Sequence, residues 1–192
     1  MDVIKRRIAI FASGSGSNAE NIINYANVHQ WPVTFFIYTE NKNAGVIERA
    51  LRLNVVCKLF SMDDFKRDAL LSELRELKID LIVLAGFLKL MPDHFITTFK
   101  QRIVNIHPAL LPKYGGKGMY GMHVHKAVKA HNETETGITI HFVNAQYDEG
   151  EIIMQEKIGI DADDSPEQIA AKVHQLEYKY YPKAISKILK FD

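Results

Sequence analysis

Asn105 and His107 stand two residues apart in Val104-Asn105-Ile106-His107-Pro108, with Ala109-Leu110-Leu111-Pro112 following. The apolar residues Ile103, Val104 and Ile106 make this the end of a buried strand, and Pro108 stops it because proline fixes φ and donates nothing to a ladder. Strand side chains alternate, so Asn105 and His107 point the same way at the strand's carboxyl end. In open α/β sheets that is where ligands sit. An amide donor beside an imidazole can hold a carbonyl oxygen as it gains charge and can move a proton. A histidine taken alone is more often a satisfied core or turn residue. Two other features weigh against that here: a glycine-rich turn near the amino terminus, and Asp148. Asp148 is the candidate acid, in the turn Asn144-Ala145-Gln146-Tyr147-Asp148-Glu149-Gly150, where the commoner role of an aspartate is to bond its own backbone.

The glycine-rich turn is Ser13-Gly14-Ser15-Gly16-Ser17-Asn18, between the apolar run Ile8–Ala12 and a helix from Asn18 or Ala19 to about Val28. Glycines let the backbone approach a ligand closely, and free amides at a helix start favour an anion. Gly14 to Ala19 also fits the dinucleotide fingerprint ending in alanine, with Glu40 about 20 residues on. From this stretch, NAD binding and simple phosphate binding weigh about equally. A second glycine-rich loop runs from Lys113 to Gly121, with four glycines in nine residues and the lysines Lys113 and Lys117. That composition makes it the candidate mobile loop. His123 and His125 have the i, i+2 spacing of a metal pair but open a helix, where that spacing does not share a face, and no third ligand is evident. No metal is expected. Phe87-Leu88-Lys89-Leu90-Met91 reads first as core and second as the lining of a slot for a flat aromatic ligand. His174 and Glu177 lie within one helical turn of each other, a spacing commoner among surface residues than among ligands.

These residues need a scaffold. Ile8–Ala12, Val33–Tyr38, Asn54–Leu59, Asp80–Gly86 and Arg102–Ile106 read as strands separated by helices over Asn18–Val28, Ala44–Leu53, a segment capped by Asp63 or Asp64 and reaching Lys78, and Pro92–Phe99. Alternation of this kind makes a right-handed parallel sheet covered on both faces. Thr136–Val143 and Ile152–Ile158 are joined by a loop too short for a crossover, so they pair antiparallel. On the first of these, Thr139, His141 and Val143 share a face. Ser165-Pro166-Glu167-Gln168 caps a last helix to about Phe191, bent at Pro182. The expected fold is α/β: a Rossmann-like, mostly parallel sheet with helices on both faces and a C-terminal antiparallel strand pair, as a single domain over 1–192. Met1–Arg7 is a short charged lead-in. Apolar residues are 47% and charged residues 24%, with a net charge of +1, which gives no electrostatic case for nucleic acid or an anionic membrane. The single cysteine, Cys57, excludes a disulfide within the chain and suits a cytoplasmic setting.

The motifs together resemble the phosphoribosylglycinamide formyltransferase family of purine biosynthesis, within the wider formyltransferases. The most specific is Asn105-Ile106-His107-Pro108 with Leu110-Leu111-Pro112. Gly14–Asn18, Leu84-Ala85-Gly86-Phe87 through Met91, and Gly137, Thr139, His141-Phe142-Val143 with Asp148-Glu149-Gly150 add to it, so the likeness runs from the first strand to the last helix. It implies that Asn105, His107 and Asp148 are catalytic, supported by Thr139 and His141. It implies that Gly16, Ser17, Asn18 and Glu177 bind the ribonucleotide, with the phosphate on Gly16–Asn18. Leu88, Lys89, Leu90, Met91, Asn105, Asn144 and Asp148 would contact the co-substrate, 10-formyltetrahydrofolate. By the same likeness the dinucleotide fingerprint is a decoy, and Glu40 is no ribose ligand. Small-molecule substrates, no nucleic acid, no membrane and a monomer or homodimer are implied. Ala109 stands where many members have serine. The Tyr114–Met122 loop is longer than in some, and an arginine that some use near the folate tail has no counterpart assigned between Phe60 and Asp68. The alternatives are another formyl-folate enzyme, a hydrolase or a tRNA formyltransferase, and an NAD-binding Rossmann module. The first two are expected to carry an extra amino- or carboxyl-terminal domain for which the chain leaves no room.

Overall fold

The computed structural model describes residues 5–191, so Met1–Ile4 of the charged lead-in and Asp192 lie outside the described residues. Seven strands form one sheet in the order β3-β2-β1-β4-β5-β6-β7. They are β1 (Arg6–Phe11), β2 (Val33–Thr39), β3 (Val56–Leu59), β4 (Leu81–Leu84), β5 (Ile103–His107), β6 (Glu135–Phe142) and β7 (Ile152–Gly159). The first five run parallel; β6 is antiparallel to β5, and β7 to β6. Seven helices accompany them: α1 (Ser17–Val28), α2 (Val46–Arg52), α3 (Met62–Lys66), α4 (Asp68–Glu76), α5 (Asp93–Thr98), α6 (Met122–Ala130) and α7 (Pro166–Leu189). This is the α/β fold expected, antiparallel pair included.

The continuous apolar runs of β1 and β4 have a simple cause: the sheet has a core on each face. Ile8 and Ile10 of β1 join Leu81 and Val83 of β4 in one core, with α1, α2, α6 and α7. Ala9 and Phe11 join Ile82 and Leu84 in the other, with Phe65, Leu74 and Phe95 from α3, α4 and α5. Burial on both faces leaves no position for a polar residue.

One expected helix is divided. The segment up to Lys78 breaks at Arg67, whose extended φ of −100° and ψ of 174° separate α3 from α4. Its cap is Ser61, which accepts from the Asp64 amide while the Asp64 carboxylate accepts from the Ser61 amide. Asp64 therefore sits at the third position of the turn and closes a capping box, rather than capping from outside. Ser165 and Gln168 form the same box before α7, as their spacing predicts.

Helix α7 is pinned to the sheet where the site lies. Tyr181 is fully buried, and its hydroxyl donates to the Leu84 carbonyl at 2.9 Å and the Val104 carbonyl at 3.2 Å. Pro182 has no N–H for the Tyr178 carbonyl, which accepts instead from the Asn21 side chain of α1 at 2.9 Å. Among the described residues, no helix is long and apolar enough to cross a membrane.

Candidate active site

Strand order reverses between β1 and β4, and the loops leaving those two strands open a crevice there. A cavity of about 660 Å³ fills it, bounded by the Gly14–Asn18 loop, the segment from Leu84 to Met91, the ends of β5 and β6, the glycine-rich loop and α7. Its size suits a small-molecule site.

Asn105 and His107 continue the face of β5 that Ile103 begins, and both line the cavity. The register sets their neighbours: Asn105 lies opposite His141 and His107 opposite Thr139. Such opposed pairs touch directly. The Nδ1 of His141 lies 2.9 Å from the Phe142 carbonyl. A carbonyl only accepts, so Nδ1 carries the proton and Nε2 accepts from the Asn105 amide nitrogen at 3.2 Å. One amide hydrogen of Asn105 is thereby held, and the other is left for the cavity. Thr139 is fully buried and works on the loop beyond β5. Its hydroxyl donates to the Ala109 carbonyl at 2.7 Å and accepts from the Leu111 amide at 3.0 Å. The face shared by Thr139 and His141 thus holds the strand end in place from behind.

Asp148 sits at φ 56°, a left-handed conformation that aspartate tolerates. Its Oδ2 accepts from the Gly116 amide at 2.9 Å and lies 3.4 Å from His107 Nδ1. Its Oδ1 is 3.7 Å from His141 Nε2, too far for a hydrogen bond. The local turn bond is made by Asn144 instead, whose Oδ1 accepts from the Gln146 amide at 3.0 Å. Asn144 is not among the residues lining the cavity; Val143, Gln146 and Tyr147 are.

Both nitrogens of His107 are engaged. Nε2 donates to the Tyr114 carbonyl at 2.7 Å, which leaves Nδ1 towards Asp148. Burial pushes His107 below its usual value, while the Asp148 charge and the Tyr114 carbonyl act the other way. Burial pushes the Asp148 carboxyl up, but His141, the His107 charge and the Gly116 amide outweigh it and hold the group below the usual carboxylate range. A carboxylate facing a ring nitrogen that has no other acceptor makes a pair through which one proton can pass.

At the other end, α1 starts at Gly16, which has φ 76° and no side-chain cap. A Cβ there would lie 2.4 Å from Val46, so only glycine allows the turn. The uncapped first turn leaves amides facing the cavity, an anion site. Asn18 donates to Glu177 Oε2 at 2.8 Å, and His174 Nδ1 is 2.9 Å from the same oxygen. Spacing alone places Glu177 on the surface, yet it is 5% exposed and lines the cavity, because Tyr181 one turn later fixes which face of α7 is turned inward. The Glu177 bond raises the His174 pKa and outweighs the burial that lowers it.

Leu88, Lys89, Leu90 and Met91 all line the third side. Met91 is buried in the core, whereas Leu88 and Leu90 are about half exposed, so the segment is core and cavity wall at once. Glu40 does not line the cavity. Among the described residues, no group of three or more His, Cys, Asp or Glu is placed to hold a metal. His125 is buried and lines the cavity, while the sequence marks it only by its spacing from His123.

The family model described as formyl transferase matches residues 6–185. The chain belongs to the formyl transferase family. It is 34% identical to the phosphoribosylglycinamide formyltransferase of Bacillus subtilis (strain 168), covering 96% of this chain and 95% of that one. It is 37% identical to the chloroplastic phosphoribosylglycinamide formyltransferase of Arabidopsis thaliana, over 96% of this chain but 65% of that protein. The chain thus spans just under two thirds of the length of that relative. Among solved structures, glycinamide ribonucleotide transformylase 1 from Geobacillus kaustophilus superimposes with a TM-score of 0.88 at 33% identity, over 97% of this chain and 100% of that one.

Proposed function

We propose that this chain, as one formyltransferase domain, moves the formyl group of 10-formyltetrahydrofolate to the amine of glycinamide ribonucleotide, a step of purine biosynthesis, in the cytoplasm and as a monomer or homodimer. One observation carries the reading. Asn105, His107 and Asp148 meet in a single cavity, between an uncapped helix start suited to a phosphate and a partly apolar wall suited to a pterin. The substrates are small molecules; nucleic acid and membrane have no part in the reading.

The amine nitrogen attacks the formyl carbon, and a new C–N bond forms as the carbonyl oxygen takes up negative charge. The free amide hydrogen of Asn105 meets that oxygen, a contribution of about 3 kcal/mol to the transition state. His107 starts neutral, because burial lowers its pKa and Nε2 is held by Tyr114; it takes up a proton at Nδ1 as the reaction proceeds, and the resulting charge stands beside the oxygen. Collapse of the tetrahedral intermediate breaks the bond to the folate nitrogen. The amine loses a proton to the Asp148–His107 pair, directly or through water, and the pair gives that proton to the departing nitrogen. Transfer is direct. Cys57 lies on β3 at the far edge of the sheet, with β2, β1 and β4 between it and β5.

The dinucleotide reading gains no support, because Glu40 lies away from the cavity. The test is to mix the chain with glycinamide ribonucleotide and 10-formyltetrahydrofolate and follow deformylated folate by absorbance. Product in proportion to ribonucleotide is expected. Product formed equally well without ribonucleotide would make the chain a hydrolase, and no product at all would end the reading.

A further inference from the structure

Tyr114 is gripped at both ends. Its carbonyl accepts from His107 Nε2 at 2.7 Å, and its hydroxyl donates to Glu133 Oε1 at 2.8 Å, 19 residues further along the chain. Glu133 lies between α6 and β6, and the same oxygen accepts from Lys113 Nζ at 3.0 Å. Tyr114 has φ 58°, a conformation that a bulky residue adopts only when its surroundings impose it. Packing acts on one side, where Tyr114 meets the core and the His131 ring edge-on at 5.6 Å. A cavity of about 160 Å³ lies against the residue, lined by Leu110, Lys113, Tyr114, Glu133, Glu135 and Thr136. Its two hydrogen bonds complete the hold on the turn. Two residues on, the Gly116 amide donates to Asp148 Oδ2, so one short stretch of loop holds both His107 and Asp148. At Gly115 between them, a Cβ would meet Leu111 at 2.6 Å and Asp148 at 3.3 Å.

The bond to Tyr114 matters because the two nitrogens of His107 face competing acceptors. A carboxylate beside Nδ1 favours the tautomer with its proton there. The Tyr114 carbonyl beside Nε2 favours the other, which leaves Nδ1 free to take a proton from the reaction. We propose that Glu133 is a positioning residue for formyl transfer: by holding the Tyr114 hydroxyl it sets the Tyr114 carbonyl against His107 Nε2, and so selects the imidazole tautomer that works with Asp148. Glu133 touches no substrate and acts through Tyr114. Burial pushes the Tyr114 phenol up to about 12, with the Glu133 bond adding to it, so the hydroxyl stays a donor at neutral pH. The bond from Lys113, then that from Tyr114, keeps Glu133 charged.

The proposal rests on the formyl-transfer reading, and its test separates the two. Tyr114→Phe removes one oxygen atom, and Glu133→Ala removes the acceptor. Each is expected to lower kcat at least about tenfold, with KM for both substrates within about twofold of the parent. The double variant is expected to be no worse than either single one, because both cut the same link. Glu133→Gln keeps an accepting oxygen and is expected to restore kcat to within about twofold. Nitrogen-15 NMR of the His107 ring gives a readout that general loosening would not produce. In the parent, Nε2 stays protonated through the titration; in Tyr114→Phe it loses its proton on the alkaline side, and Nδ1 keeps one. Unchanged ring shifts with kcat within about twofold in Tyr114→Phe would overturn the proposal, as would a tenfold rise in KM with kcat kept. If the parent transfers no formyl group, the functional reading fails, and the ring shifts still decide whether Glu133 sets the imidazole.

Discussion

The centre of the sheet and the strands beside it, β5 and β6, are built by opposite rules. In β1 and β4 every inward position is aliphatic or aromatic, and alternate residues supply two separate cores. In β5 and β6 the same kind of buried position holds His107, Thr139 and His141, each 3% exposed or less. Burying a polar group costs free energy unless it is hydrogen-bonded. Here each one is satisfied: His141 by Asn105 across the register, and Thr139 and His107 by the Ala109 and Tyr114 carbonyls of the loop beyond β5. The apolar half supplies stability. The polar end spends part of that stability on groups with fixed direction, which is what a reacting oxygen needs.

That contrast can be broken from either side. The largest effect is expected at the polar end: His107→Ala and Asp148→Asn should each lose at least about 100-fold in kcat, with ribonucleotide affinity changed far less. Steady-state turnover beside calorimetric binding checks this, and near-parental turnover in either variant would remove that residue from the mechanism. In the apolar core Leu74→Ala, fully buried among α3–α5, should cost about 3 kcal/mol of stability and leave kcat intact below its melting point. Denaturant unfolding measures it. A large loss of kcat in the folded variant would mean that the two regions are not separable.

A smaller effect sharpens the comparison at the cavity wall. Burial, then the His174 charge, lowers His125 to about 4 from 6.5, and its Nδ1 has no hydrogen-bond partner. The folded state keeps this histidine neutral, while the unfolded chain takes up a proton near pH 6.5. Stability should therefore fall as pH drops from about 6.5 towards 4, by about 1–2 kcal/mol from this group. His174 has the opposite sign: its folded pKa is raised, so its contribution is complete below 6.5 and is lost as pH rises through the raised value. Melting curves of His125→Gln should be flatter than the parent's on the acid side. Equal slopes would contradict the assignment.

How legible each part was follows from the same division. The central strands β1 and β4 are written in continuous apolar runs because two-sided burial leaves one reading, and the other five lie close to where the sequence places them although β3 and β7 are largely exposed. Asn105 and His107 share a face by parity alone, and Thr139 and His141 likewise. The break at Arg67 was hidden because the apolar spacing runs on through it from Phe65 to Leu77, and only the backbone turn separates α3 from α4. Glu177 looked like a surface residue because a helical period fixes the angle between residues, not which face meets the sheet; the Tyr181 anchor settles that through contacts with β4 and β5. The turn-bonding role that the sequence suggests for Asp148 falls to Asn144, and no local pattern distinguishes the two. Tyr114 and Glu133 were invisible as a pair, since a bond across 19 residues leaves no trace in spacing.

The central claim is that a phosphorylated amine and a one-carbon donor meet over the end of β5. A crystal structure with glycinamide ribonucleotide and a non-transferring folate analogue tests it most directly. The account predicts the phosphate on the first turn of α1 and the amine about 3–3.5 Å from the analogue's one-carbon position, with Asn105, His107 and Asp148 around both. Either ligand seated away from the strand end, or an amine turned from those three side chains, would contradict it.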